Sequence, residues 1–166
     1  MGKVWKFGDD VDTDQILPGR YAPYMTGEAA LARHAFIEYR PEFARAVRAG
    51  DIILAGRNFG CGSSREYAPL ALKRCGIAAI VARSFARIFF RNALNLGIPL
   101  FESETAAQEI ADGQEVELDV AQGILVAGER AFPLRPPPAF VCEILHQGGI
   151  VEYYRKHGRF PGEPNS

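Results

Sequence analysis

The residue types best suited to chemistry are concentrated in one stretch, Asn58-Phe59-Gly60-Cys61-Gly62-Ser63-Ser64-Arg65-Glu66. Its two glycines can adopt backbone angles closed to other residues, so the loop can turn sharply and bring N–H groups close to a ligand. Ser63 and Ser64 offer hydroxyls, and Arg65 offers a planar, permanently charged fork that matches a carboxylate. The residues after the loop predict a helix from Tyr67 to Arg74, whose N-terminus would add unpaired donors and the positive end of a dipole. The chemistry implied is capture of a small carboxylic acid beside two hydroxyls. Ser63 and Glu66 also stand in the S-x-x-E relation of a capping box, so the loop alone leaves open whether Ser63 serves a site or only caps the helix.

Other chemistries are excluded by spacing. A dinucleotide fingerprint needs Gly where Arg65 stands, and a phosphate loop needs Lys directly before its Ser or Thr. Neither serine has glycines at both offsets of a nucleophile elbow. Asp10, Asp12 and Asp14 imitate the start of a calcium loop, but Gln15 and Tyr21 occupy the positions that require Gly and Glu. What remains there is an acidic turn, open to two readings: a solvated loop with Asx caps, or a carboxylate, Asp14, that orients an arginine in a site. The three cysteines, Cys61, Cys75 and Cys142, are widely spaced without a C-x-x-C pair, so the sequence predicts no disulfide framework and no metal or iron–sulfur site within this chain. Cys61 has no histidine near it in sequence and is read as a packing residue, and His34 as a surface or capping histidine.

The whole chain sets the frame for these residues. Its 166 residues suit one domain, burying roughly two thirds of the unfolded surface. A net charge of −1 provides no basic field for nucleic acid. No apolar run approaches the roughly 18 residues of a membrane span, and the N-terminus carries no signal pattern, which predicts a cytoplasmic protein with no membrane partner.

The elements that must position the loop are legible as an alternation. A strand at Val4–Phe7 precedes the acidic turn, and Pro18 to Gly27 reads as a loop. Short helices follow from Glu28 to Phe36 and from Phe43 to Ala49. Asp51–Ala55 is an apolar strand leading into the glycine loop, and Ile77–Ala82 is the next. A helix from Phe85 to Leu96 capped by Ser84 then leads to the short apolar run Ile98–Leu100. Strand, helix, strand, helix, strand predicts a parallel α/β core. Arg83, Arg87 and Arg91, four apart, are expected on one solvated helix face. Residues 115–126 read as a β-hairpin, with a possible third strand at Ala131–Leu134. Pro136-Pro137-Pro138 reads as a stiff spacer before a helix from Ala139 to His146. Tyr153 to Ser166 is expected to fray.

Taken together, Gly8-Asp9-Asp10-Val11-Asp12-Thr13-Asp14-Gln15-Ile16, Gly60-Cys61-Gly62-Ser63-Ser64-Arg65-Glu66 and Ala86-Arg87-Ile88-Phe89-Phe90-Arg91-Asn92 resemble the small subunits of the 3-isopropylmalate dehydratases, within the aconitase superfamily. The resemblance spans Lys3 to about Lys156. It implies a single α/β swivelling domain over residues 1–156, with 157–166 as a polar tail. It further implies a separate large subunit whose cysteines hold a 4Fe-4S cluster, this chain supplying no ligand to it. The substrate implied is a small di- or tricarboxylic hydroxy acid, and the reaction a dehydration and rehydration that moves a hydroxyl between adjacent carbons. By similarity Ser63 is the base, Ser64 and Arg65 bind carboxylate with Gly62 beside them, and Asp14 supports Arg65. The loop Tyr21-Ala22-Pro23-Tyr24-Met25 would then face the distal end of the substrate. No Arg follows Tyr21 there, which favours an apolar tail such as that of isopropylmalate. Arg20 leaves homoaconitate and other alkyl-malates as alternatives. A free-standing domain that binds small acids without catalysis is the reading of a different class.

Overall fold

Seven strands form one sheet in the order β4-β3-β2-β1-β5-β6-β7 in the computed structural model, which describes residues 1–135 and 137–163. The strands are β1 (Gly2–Lys6), β2 (Ile52–Ala55), β3 (Ala79–Ala82), β4 (Leu100–Glu102), β5 (Glu115–Asp119), β6 (Ile124–Ala127) and β7 (Arg130–Pro133). The first four are parallel, with Val4 opposite Ile52, Ile52 opposite Ala79 and Ile80 opposite Leu100. The last three form an antiparallel meander joined to β1 through Gly2 and Val116. The expected third strand is therefore present.

The parallel strands read as unbroken apolar runs because both faces are covered. Trp5, Ile53, Ala55, Ile80 and Ala82 point into one core with Phe36, Phe43, Phe59, Leu72 and Phe89. The alternate residues Val4, Ile52, Leu54, Ala79 and Val81 point into a second core with Phe101, Ala106, Ile110, Leu125 and Phe132. Burying each large side chain of this kind contributes roughly 1.5–3 kcal/mol.

Two helices connect the parallel strands as expected: α5 (Tyr67–Arg74) between β2 and β3, and α6 (Arg87–Asn95) between β3 and β4. The remaining helices are α1 (Thr13–Ile16), α2 (Pro23–Thr26), α3 (Leu31–His34), α4 (Glu42–Ala46), α7 (Glu104–Glu109), α8 (Ala139–His146) and α9 (Ile150–His157).

Several expectations need correction. Residues 18–27 are not a plain loop: a 3₁₀ turn at Gly19–Tyr21 and α2 occupy them. Ser84 does not cap α6; its hydroxyl accepts from the Asn58 N–H at 2.8 Å, and α6 begins at Arg87 behind Ala86. Arg83 consequently lies outside that helix and pairs with Glu104. The segment expected to fray is α9 as far as His157, anchored by buried Tyr153, with Phe160 lying 4.9 Å from Tyr154. Pro136 of the proline spacer and residues 164–166 of the tail lie outside the described residues. Among the described residues, no helix is long and apolar enough to cross a membrane.

Candidate active site

The glycine-serine loop leaves the C-terminal end of β2 and is stitched to two distant segments by backbone hydrogen bonds. On one side the Asp10 N–H donates to the Arg57 carbonyl at 2.8 Å, the Gly60 N–H to the Val11 carbonyl at 2.7 Å, and the Thr13 N–H to the Cys61 carbonyl at 2.9 Å. On the other, the Phe59 N–H donates to the Ser84 carbonyl and the Ala86 N–H to the Phe59 carbonyl, both at 3.0 Å. Gly60 has φ +81°, and a Cβ there would stand 2.1 Å from Cγ of Phe89, the buried residue of α6 beneath it. Gly62 has φ +91° and a Cβ would meet Asp12 and Thr13 at 3.4–3.5 Å. At Gly60 only glycine combines that backbone region with this approach, while at Gly62 the contacts are ordinary and the positive φ alone favours glycine.

The capping box forms elsewhere than the sequence suggests. Asp12 is the N-cap of α1: its carboxylate accepts from the Gln15 N–H at 2.8 Å, and its own N–H donates to the Gln15 side-chain carbonyl at 2.9 Å. Helix α5 begins instead at Tyr67, with Glu66 before it in helical geometry and no side-chain cap. Ser63 lies four residues ahead of that helix and does not cap it. Its carbonyl accepts instead from the Thr13 hydroxyl at 3.0 Å, a tertiary contact. Among the described residues no hydrogen bond engages the Ser63 hydroxyl, and Gly62, Ser63 and Ser64 are exposed.

Arg65 forms an ion pair with Asp14, the residue after Thr13. Its side chain is only 24% exposed, with the guanidinium 5.9 Å from the Tyr67 ring. The turn at Gly19 comes so close that a Cβ there would lie 3.1 Å from Nη1 of Arg65. Ser63, Ser64, Arg65, Gly62 and Asp14 are thus gathered at one edge, beside the turn carrying residues 19–25. A cleft of about 270 Å³ next to them is walled by Asp12, Asp14, Gln15, Glu38 and Tyr39. A larger one, about 430 Å³, lies near the opposite ends of β1 and β2, around Lys3, Arg48 and Asp51.

The distal loop is only partly as expected. Ala22 is fully buried and offers no surface to a ligand, so it is removed from the substrate-facing set. Pro23 is half-buried, while Tyr24 and Met25 are 79% and 64% exposed. Tyr21 stacks on His34 with ring centres 4.1 Å apart. His34 is therefore a packing partner of the loop, with a buried Nδ1 that finds no hydrogen-bond partner among the described residues. Arg20 points to Glu38, with which it pairs, and lies over the Tyr21 ring at 5.0 Å.

The cysteines have no activated character. Burial, then Asp12 and Asp10, push the Cys61 thiol up, and burial alone raises Cys75 to about 12. Among the described residues no three His, Cys, Asp or Glu side chains converge as metal ligands. Sequence reasoning missed Thr13 and the box at Asp12. The D-x-x-Q spacing was the available signal, equal in form to the S-x-x-E chosen.

A parallel sheet ending in a Gly-Ser-Ser-Arg loop locked by an Asp–Arg pair places the chain in a class, and the similarities agree. Residues 24–104 match the aconitase C-terminal domain. The structure is similar to that of a 3-isopropylmalate dehydratase from Methanocaldococcus jannaschii, with a TM-score of 0.87 and 45% identity, covering 95% of this chain and 93% of that one. The homoaconitase small subunit of Thermus thermophilus is 60% identical over 98% of this chain and 100% of its own length. A 3-isopropylmalate dehydratase small subunit of Deinococcus radiodurans is 54% identical over 98% and 92%. The chain belongs to the 3-isopropylmalate dehydratase small-subunit family of the aconitase superfamily. It is one part of a heteromeric hydro-lyase.

Proposed function

We propose that this chain supplies the proton-transfer and carboxylate-binding half of a site that isomerises 2-isopropylmalate and 3-isopropylmalate by dehydration and rehydration. The observation behind this reading is the exposed Ser63 hydroxyl, uncommitted to any cap, beside an Arg65 held by Asp14. The large subunit carries the 4Fe-4S cluster, which supplies Lewis-acid chemistry for the leaving hydroxyl. Residues 1–156 act as the swivelling unit that closes on that subunit, in the cytoplasm. Arg65 and Ser64 bind the carboxylate next to the carbon that loses its proton, and Asp14 fixes the Arg65 fork in one orientation. Ser63, as alkoxide, takes that proton on Oγ and returns it in the reverse direction. A serine hydroxyl is a weak base in water, so the alkoxide depends on fixed positive charge and loop N–H groups in a site closed to solvent.

Pro23, Tyr24 and Met25 carry no charge, and Arg20 is engaged by Glu38, which supports an apolar substrate tail. Burying an unmatched distal carboxylate would cost several kcal/mol. The expected result for the reconstituted complex is a higher kcat/KM for isopropylmalate than for homoaconitate or citrate, with Pro23→Arg raising the value for the longer acid. A second reading, homoaconitate as substrate, is favoured by the 60% identity to a homoaconitase small subunit. Equal or higher kcat/KM for homoaconitate in the wild type replaces the first reading with the second. Failure of the complex to turn over any of the three acids turns the search to other alkyl-malates.

A further inference from the structure

We propose that Thr13 is a positioning residue for Ser63, a role that rests on the reading of Ser63 as the base. Thr13 is 2% exposed and grips the loop twice: its N–H donates to the Cys61 carbonyl at 2.9 Å, and its hydroxyl donates to the Ser63 carbonyl at 3.0 Å. Between those two anchors, Gly62 wraps over the threonine, its Cβ direction only 3.5 Å from Oγ1. The next residue, Asp14, holds Arg65. Consecutive residues of α1 therefore fix the base at one end of the loop and the carboxylate fork at the other.

Helix α1 is itself rigidly placed. The Asp12–Gln15 box closes its N-terminus, and Ile16 is fully buried. The loop has no comparable support of its own, because residues 62–64 are exposed and α5 begins only at Tyr67. Without the Thr13 hydroxyl, the Ser63 carbonyl is free to turn to water, and the peptide carrying the base can rotate. Displacement of a catalytic group by about 1 Å can cost on the order of 10²-fold in rate.

A merely structural hydroxyl would be felt as lost stability with chemistry intact. The test therefore uses Thr13→Val, which keeps the shape without the donor, and Thr13→Ser, which keeps the donor. In the reconstituted complex, Thr13→Val is expected to lower kcat at least about tenfold with KM little changed, and Thr13→Ser to restore most of it. In the free chain, amide exchange of residues 60–65 should quicken in Thr13→Val while β2 and β3 stay protected. Wild-type kcat and exchange in Thr13→Val overturns the proposal. So does an equal loss in both variants, which would trace the effect to packing of the methyl group, and so does global loss of protection. Wild-type kcat in Ser63→Ala would remove the base reading instead, with exchange in the free chain still deciding whether Thr13 holds the loop.

Discussion

Removing the Ser63 hydroxyl separates chemistry from folding, because that hydroxyl caps no helix in this fold. Ser63→Ala is expected to lower kcat of the reconstituted complex by about 10²–10⁴, the usual worth of a positioned base. Stability should stay within about 0.5 kcal/mol, as for an exposed substitution away from structural features. Thermal melts and steady-state rates on the same preparation check both halves; a lowered melting point with normal kcat would sink the assignment. Residue types single out Ser63, Ser64 and Arg65 as a carboxylate site and leave Asp14 as one option for orienting an arginine; only the family resemblance joins the four into a group. Residue types did not reveal which box would close. Asp12–Gln15 and Ser63–Glu66 have the same spacing, and spacing alone carries no sign of tertiary contacts such as the hydrogen bond from Thr13 to the Ser63 carbonyl 50 residues away. The resemblance places the whole loop Tyr21–Met25 at the substrate, but a single alanine such as Ala22 carries no sign of which way it points.

At the scale of elements, the loop depends on α6 as much as on α1. Gly60→Ala would place a methyl group 2.1 Å from Phe89 Cγ and force an alanine to φ +81°. We expect a loss of roughly 2 kcal/mol or more, from overpacking and left-handed strain together. Phe89→Ala should not rescue it, since the Phe89 Cβ is itself 2.5 Å away. Chemical denaturation of the two single variants and the double variant measures this; full stability in Gly60→Ala would mean that the loop is less tightly seated. The alternation from β2 to β4 was legible because strands buried on both faces leave continuous apolar runs and glycines close the helices. Helix α9 was not, since Tyr153 is its one buried residue and the rest reads as a polar tail. Nor was α2, whose single turn of four residues is too short for any helical period to repeat.

Across the whole molecule, Asp112 ties together parts far apart in sequence. Its carboxylate accepts from the Lys6 N–H at 2.8 Å and from both terminal nitrogens of Arg40 at 3.1 and 2.7 Å, while Arg40 lies 4.7 Å from the Trp5 ring. The hydrogen bonds from Arg40 hold the Asp112 carboxyl below the usual carboxylate range. A carboxyl depressed by folding contributes stability above its unfolded value near pH 4 and loses that contribution as pH falls through the folded value. Asp112→Asn should therefore cost about 1 kcal/mol at pH 7, modest because Asp112 is half exposed, and the difference should fade as the pH drops below the ordinary carboxylate range. Melting curves of both proteins against pH decide this; a difference constant with pH would mean that the amide disturbs packing instead. The order of the sheet has a consequence for biosynthesis. Of the seven strands β1 is made first, yet it sits between β2 and β5 and pairs through Gly2 with Val116. Until β5 has been translated as well, one of its edges has no partner, and an open edge invites pairing with other nascent chains. A transcript truncated before β5 should yield sticky, short-lived fragments, and a chaperone that shields β1 would act on the strand that waits longest between its synthesis and its enclosure.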